Sequence, residues 1–115
     1  MKSRSLQPTA KARASTEAAF YQAVLCLETP ADTRAFFADL CTPAELEALL
    51  DRWSVVGYLE DGLPYRRIHE LTGVSVTTIG RVARYLTGGN GGYRKVLDRM
   101  RSAGDAVAGA RRSDT

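Results

Sequence analysis

The sequence predicts an all-α protein. Apolar side chains recur at intervals of three and four residues along most of the chain, which is the spacing of one face of an α-helix. Threonine or serine followed by proline or an acidic residue marks repeated helix starts. No segment shows the strict alternation of apolar and polar residues that is typical of a half-buried strand. At 115 residues, the chain is expected to form one domain of six helices.

The composition is that of an ordinary globular protein, with 44% apolar and 25% charged residues. No run reaches the roughly 18 apolar residues of a membrane span. We expect residues 1–14 to be a disordered basic arm (a transit peptide is the alternative), 15–100 the folded domain, and 101–115 a flexible tail. Cys26 and Cys41 are predicted to be reduced core thiols of a cytoplasmic protein, since neither belongs to a metal-binding motif.

Start and stop signals place the first three helices. The first is predicted over residues 17–27, after a serine-threonine cap. A threonine-proline pair starts the second helix at Pro30 and the third at Pro43, because proline suits the first helical position. The third helix is the longest and is expected to end at Glu60, before Gly62.

The next two helices are short and are joined by a tight turn. Helices are predicted over 64–71 and 76–86, the second one capped by Ser75. Gly73 lies in the turn between them and accepts the positive φ that such a turn requires. After a glycine-rich break, a last helix is predicted over 93–100. The residues expected to pack between the two short helices are Ile68, Leu71, Val74, Ile79 and Val82.

This pair of helices is typical of a helix-turn-helix that reads DNA. The start of the second helix would present short polar side chains to base edges in the major groove, and Val76 to a thymine methyl group. Arg81 would reach a guanine or a phosphate, and the start of the first helix would hold the phosphate backbone. The predicted DNA-binding residues are Tyr65, Arg66, Arg67, Ser75, Val76, Thr77, Thr78, Gly80, Arg81 and Arg84.

The charge distribution agrees with this interpretation. Residues 17–61 carry two basic and nine acidic side chains, a net charge of −7. Residues 62–99 carry seven basic and two acidic side chains, a net charge of +5, and residues 1–14 add +4. A basic helical segment on an acidic body favours a polyanionic partner.

Other functions have less support in the sequence. His69 is the only histidine and has no nucleophile at a matching spacing, so no enzymatic activity, catalytic residue or metal site is predicted. The glycine run at 88–92 lacks the lysine of a nucleotide-binding loop. The alternative function is a helical module that contacts another protein through its helix-turn-helix surface.

The segment 59–97 resembles the YerC/YecD-like branch of the Trp-repressor superfamily. A weaker match extends back through Trp53 to Thr42-Pro43, so that the resemblance covers roughly residues 15–100. The residues that carry the resemblance are Tyr65-Arg66, Thr72-Gly73-Val74-Ser75, Thr77-Thr78-Ile79, Arg81-Val82 and Gly91-Gly92-Tyr93.

The resemblance implies a six-helix Trp-repressor-like fold in an intertwined homodimer. It also implies that helices 64–71 and 76–86 form the DNA-reading head, and that two heads bind a palindromic operator in double-stranded DNA, as in a repressor. The aromatic content of the first helices favours the homodimer over a monomeric six-helix bundle. The aromatic residues concerned are Phe20, Tyr21, Phe36, Phe37, Trp53 and Tyr58.

Two positions depart from the pattern of the Trp repressor. Val82 stands where that protein has a glycine beside its bound indole, and a branched side chain would intrude there. We therefore expect no L-tryptophan corepressor and predict no cofactor, while any other effector remains unidentified. His69 stands where a helix-turn-helix usually has alanine. Either the ring leans into solvent or it opens the angle between the helices.

Overall fold

A computed structural model describes residues 9–112, and their side chains as far as residue 104. The described range contains six α-helices and no strand, which confirms the predicted all-α class. The helices are α1 (Ala10–Val24), α2 (Pro30–Leu40), α3 (Pro43–Glu60), α4 (Tyr65–Thr72), α5 (Val76–Gly88) and α6 (Gly92–Arg112). Between residues 9 and 112, no helix is long and apolar enough to cross a membrane.

The chain divides into two compact units, residues 1–43 and 44–115. In the first unit, α1 begins earlier than the predicted start at residue 17. Thr9 caps it by accepting a hydrogen bond from the Ala12 amide at 3.1 Å. The serine-threonine cap was the wrong choice because an alanine-rich stretch of strong helix formers already follows Thr9. Residues 1–8 of the predicted basic arm lie outside the described range.

The start of α2 is confirmed. Thr29 accepts a hydrogen bond from the Asp32 amide at 3.0 Å, and Pro30 occupies the first turn. Neither α1 nor α2 contains a buried residue, although the rings of Phe20 and Phe36 stack with centroids 6.3 Å apart. The cysteines are free, as predicted, but neither is a core residue: Cys26 is exposed in the loop after α1, and Cys41 is half-buried at the end of α2.

The second unit contains a small buried core to which α3, α4, α5 and α6 contribute. Both bounds of α3 agree with the prediction. Leu71 was expected inside but is 45% exposed, because α4 has only two turns and buries only Ile68. The buried core residues are Val55, Val56, Ile68, Val74, Ile79, Val82 and Leu97.

The turn between α4 and α5 is held by side chains as well as backbone. Gly73 adopts a φ of 74°, as its predicted role requires, and its amide donates to the His69 carbonyl at 2.8 Å. The Val74 amide donates to Thr72 Oγ1 at 3.1 Å, and the Val74 carbonyl accepts from His69 Nδ1 at 2.7 Å. The exposed ring of His69 agrees with the solvent-facing alternative, and it also bonds across the turn.

Helix α6 continues well past the predicted end at residue 100, so this boundary was wrong. Alanine and arginine dominate the extension and favour helix. An ion cluster also ties α6 to the end of α3. Arg94 donates two hydrogen bonds of 2.7 Å to the Glu60 carboxylate, and Arg101 donates a third of 3.2 Å.

This ion cluster predicts a pH-dependent stability. Hydrogen bonding from Arg94 lowers the pKa of Glu60 from its ordinary 4.5 to about 2. Because the folded pKa is depressed, the carboxylate stabilises the fold above pH 4.5 and loses this effect as the pH falls towards 2. We expect Glu60→Gln to lower the free energy of unfolding at pH 7, with the difference from wild type shrinking through this window in urea titrations.

The matched control is Glu47→Gln, an exposed residue of the same helix that lies outside the described ion pairs. It should follow the wild-type pH profile. A Glu60→Gln variant that is as stable as wild type at pH 7 would contradict the role given to the cluster.

The hydrogen bonds of the turn lead to a second prediction about stability, which compares substitutions of two threonines. Both Thr72 and Thr87 donate to the carbonyl four residues earlier, but only Thr72 also accepts the Val74 amide. We expect Thr72→Val to reduce the free energy of unfolding by about 1–3 kcal/mol, because it leaves a partly buried amide unpaired. Thr87→Val should change it by less than about 0.5 kcal/mol. Equal losses in denaturant titrations would show that the turn does not depend on this bond.

Candidate nucleic-acid interface

The N-cap residue Ser75 stabilises the start of α5 through hydrogen bonds. Ser75 Oγ accepts from the Thr78 amide at 3.2 Å and donates to Thr78 Oγ1 at 3.0 Å. The Ser75 hydroxyl is therefore used in capping, while the Thr78 hydroxyl keeps its own proton for another acceptor. Val76 and Thr77, the first residues of the helix, are exposed. The described hydrogen bonds of Ser75 and Thr78 do not involve the exposed Thr77.

The predicted contacts on α5 share one face of the helix. Thr77, Arg81 and Arg84 are spaced by four and three residues, and all three are exposed. Ile79 and Val82 point to the opposite side and are fully or almost fully buried. The burial of the apolar face therefore determines which residues α5 presents to solvent.

The start of α4 contributes a second exposed group. The side chain of Arg66 is 93% exposed and that of Arg67 is 57% exposed. Both lie near Glu70, at 3.8 and 3.9 Å, in long and exposed ion pairs. Such pairs contribute at most about 1 kcal/mol, so a phosphate would displace Glu70 easily.

Gly80 and Tyr65 bring the two helices of the motif together. A Cβ atom added to Gly80 would lie 3.9 Å from Tyr65 Cε2, so the tyrosine ring lies beside this part of α5. Gly80 is only partly exposed. The tyrosine ring therefore lies within van der Waals reach of Gly80 and connects the start of α4 to the middle of α5.

Arg81 makes a contact that the sequence analysis did not identify. Its guanidinium carbon lies 4.7 Å from the centroid of the Tyr85 ring, one helical turn further along α5. This distance is that of a cation–π interaction. The spacing of four residues between arginine and tyrosine was the available signal, but many such pairs occur on helices without contact.

A cavity of about 500 Å³ lies between α3, α5 and α6. It combines two guanidinium groups with three aromatic rings. Val82 is part of its wall and is 1% exposed, so this residue contributes to both the core and the cavity. The lining residues are Arg52, Trp53, Arg81, Val82, Tyr85, Asn90, Gly92, Tyr93 and Val96.

No cluster of three histidine, cysteine or acidic residues suitable for a metal ion occurs in the part of the chain that the structure describes. What the site offers is basic and hydroxyl groups on an exposed helical surface. These groups suit recognition of a phosphate backbone and of base edges.

Known proteins resemble this chain over most of its length. The family model for the Trp repressor protein matches residues 16–101 of the chain. The uncharacterized YerC protein of Bacillus subtilis is 38% identical over 81 residues, which cover 70% of this chain and 78% of YerC.

Solved structures agree in fold. A TrpR-like protein from Eubacterium eligens superposes with a TM-score of 0.71 at 37% identity, over 75% of this chain and 89% of its own. A candidate Trp repressor from Staphylococcus aureus superposes with a TM-score of 0.72 at 34% identity, over 88% of this chain and 95% of its own. The expected Trp-repressor-like helical fold is thus confirmed, and the chain belongs to the Trp repressor family as a YerC-like member.

Proposed function

We propose that the protein is a sequence-specific DNA-binding transcriptional regulator that represses from a palindromic operator. Family membership supports a DNA-binding regulator in general. The observation that carries the proposal is the exposed face of α5, where Thr77, Arg81 and Arg84 lie opposite the buried Ile79 and Val82. In this proposal, α5 enters the major groove and the start of α4 contacts phosphates. Such a regulator would act in the cytoplasm.

We further propose that the active form is a homodimer. In the first unit, α1 and α2 bury no residue, and Leu25 is 74% exposed. In the second unit, Leu50 of α3 is 59% exposed. Apolar surface of this extent is typical of an interface, and a second copy of the chain would cover it.

The alternative is a module that binds another protein through the same surface. Exposed apolar side chains of the motif, such as Val76 and Leu71, favour it. The excess of basic side chains over residues 62–99 favours DNA. Absence of DNA binding even at low salt would favour the alternative, a module that binds another protein.

Two substitutions separate phosphate contacts from base contacts. We expect Arg66→Ala to weaken binding to all DNA sequences alike and to reduce the slope of log K against log salt by about 1. Thr77→Val, which keeps the side-chain shape, should change the preferred base at one position, with about 1–3 kcal/mol of lost discrimination. Fluorescence anisotropy with a panel of labelled duplexes at several salt concentrations measures both effects.

The controls are Arg99→Ala, which makes the same charge change on the exposed surface of α6, and Thr87→Val on the last part of α5. Both should bind DNA like wild type. If Arg99→Ala reduced the salt slope as much as Arg66→Ala, the effect would reflect net charge and not a phosphate contact. An unchanged base preference in Thr77→Val would contradict its place in the groove.

The cavity leads to a prediction about L-tryptophan. Because Val82 is branched and lines the cavity at the position of the glycine that borders the indole in the Trp repressor, we expect no binding at physiological concentration. Isothermal titration calorimetry with L-tryptophan measures this directly. A micromolar dissociation constant would contradict the prediction, and Val82→Gly is the variant in which binding should appear if the valine is the obstacle.

A further inference from the structure

The contact between Arg81 and Tyr85 determines where the guanidinium of Arg81 points. The guanidinium carbon lies 4.7 Å from the ring centroid of a residue one turn nearer the C-terminal end of α5. The base-reading residues lie at the opposite end of the helix, where Thr77 precedes Arg81 by one turn. A turn advances about 5.4 Å along the axis. The guanidinium is therefore directed away from the end of α5 that would meet the bases.

The contact with Tyr85 leaves the hydrogen-bonding groups of Arg81 available. The guanidinium carbon lies over the ring, and a guanidinium that lies flat on a ring keeps its five N–H donors pointing outwards in its own plane. Arg81 is exposed and Tyr85 is 44% exposed, so that solvent reaches this edge. Within residues 9–104, no carboxylate forms an ion pair with Arg81, unlike Arg66 and Arg94.

We propose that Tyr85 is a positioning residue for DNA binding: it holds the Arg81 guanidinium ready for a bidentate contact with a backbone phosphate, and Arg81 does not read a base. This inference rests on the proposed function and deepens it. It decides between the two partners, guanine and phosphate, that the sequence leaves open for Arg81. A planar donor fork matches a phosphate well, and stacking reduces the freedom that the long side chain must lose on binding.

The expected effect is small but measurable. An exposed cation–π contact favours the conformation in which the cationic side chain touches the ring by a factor of about two to five. Loss of the Tyr85 ring should therefore reduce DNA affinity by about the same factor. The loss should be uniform across sequences because a phosphate contact carries no sequence information.

The test is a double-mutant cycle measured by anisotropy on a specific duplex and on a duplex of scrambled sequence. Tyr85→Phe keeps the ring and should bind like wild type, whereas Tyr85→Leu should bind both duplexes about two- to fivefold more weakly. Arg81→Gln should reduce the salt slope by about 1 without changing the base preference. In the Arg81→Gln background, Tyr85→Leu should have no further effect.

Three results would overturn the inference. A changed base preference in Arg81→Gln would make Arg81 a base reader. Additive effects of the two substitutions would show that Tyr85 acts independently of Arg81, for example through the wall of the cavity. Equal losses in Tyr85→Phe and Tyr85→Leu would assign the effect to the hydroxyl group. Circular dichroism melts establish that each variant is folded.

A measurement made without DNA distinguishes failure of this inference from failure of the proposed function. Stacking over the ring should shift the NMR resonances of the Arg81 side chain upfield in wild type and Tyr85→Phe, but not in Tyr85→Leu. Absence of this shift in a wild-type protein that binds DNA overturns the positioning role alone. Presence of the shift in a protein that binds no DNA overturns the proposed function, and the phosphate contact with it.

Discussion

The orientation of α5 depends on the hydrogen bonds that the backbone amide and carbonyl of one buried turn residue, Val74, make with side chains. Val74 lies in the core and the whole residue is 4% exposed, so its amide and carbonyl are buried together with its side chain. Thr72 Oγ1 accepts from the amide and His69 Nδ1 donates to the carbonyl. Unpaired buried backbone groups are costly, and these two bonds therefore favour a single geometry of the turn. Gly73 makes that geometry possible through its positive φ.

The turn connects the core to the proposed DNA surface. Ile68 before the turn and Ile79 after it are fully buried in the same core. Once these side chains are inside, the helical period places Thr77 and Arg84 outside. The ion cluster of Glu60 fixes α6 to the end of α3, beside the same core. The side chains that pack in the core and those proposed to contact DNA thus lie on opposite faces of α5, and a change in the turn would affect both sets.

The parts of the fold that the sequence predicted are those with local causes. Thr29 and Ser75 form the expected caps, and Gly73 has the expected conformation, because each depends on a few neighbouring residues. The early start of α1 at Ala10 was missed because several potential caps compete there. Contacts between separate elements or along a helix face, such as those of His69 and Tyr85, need three-dimensional distances that spacing alone does not supply.

The central claim is that the exposed face of α5, in a homodimer, reads a specific DNA sequence. The most direct measurement is a selection of genomic fragments by the purified full-length protein at about physiological salt, followed by sequencing. The account predicts enrichment of a palindrome whose half-sites are about one helical turn apart, roughly 10 base pairs from centre to centre. Recovery of fragments without any shared sequence would contradict it.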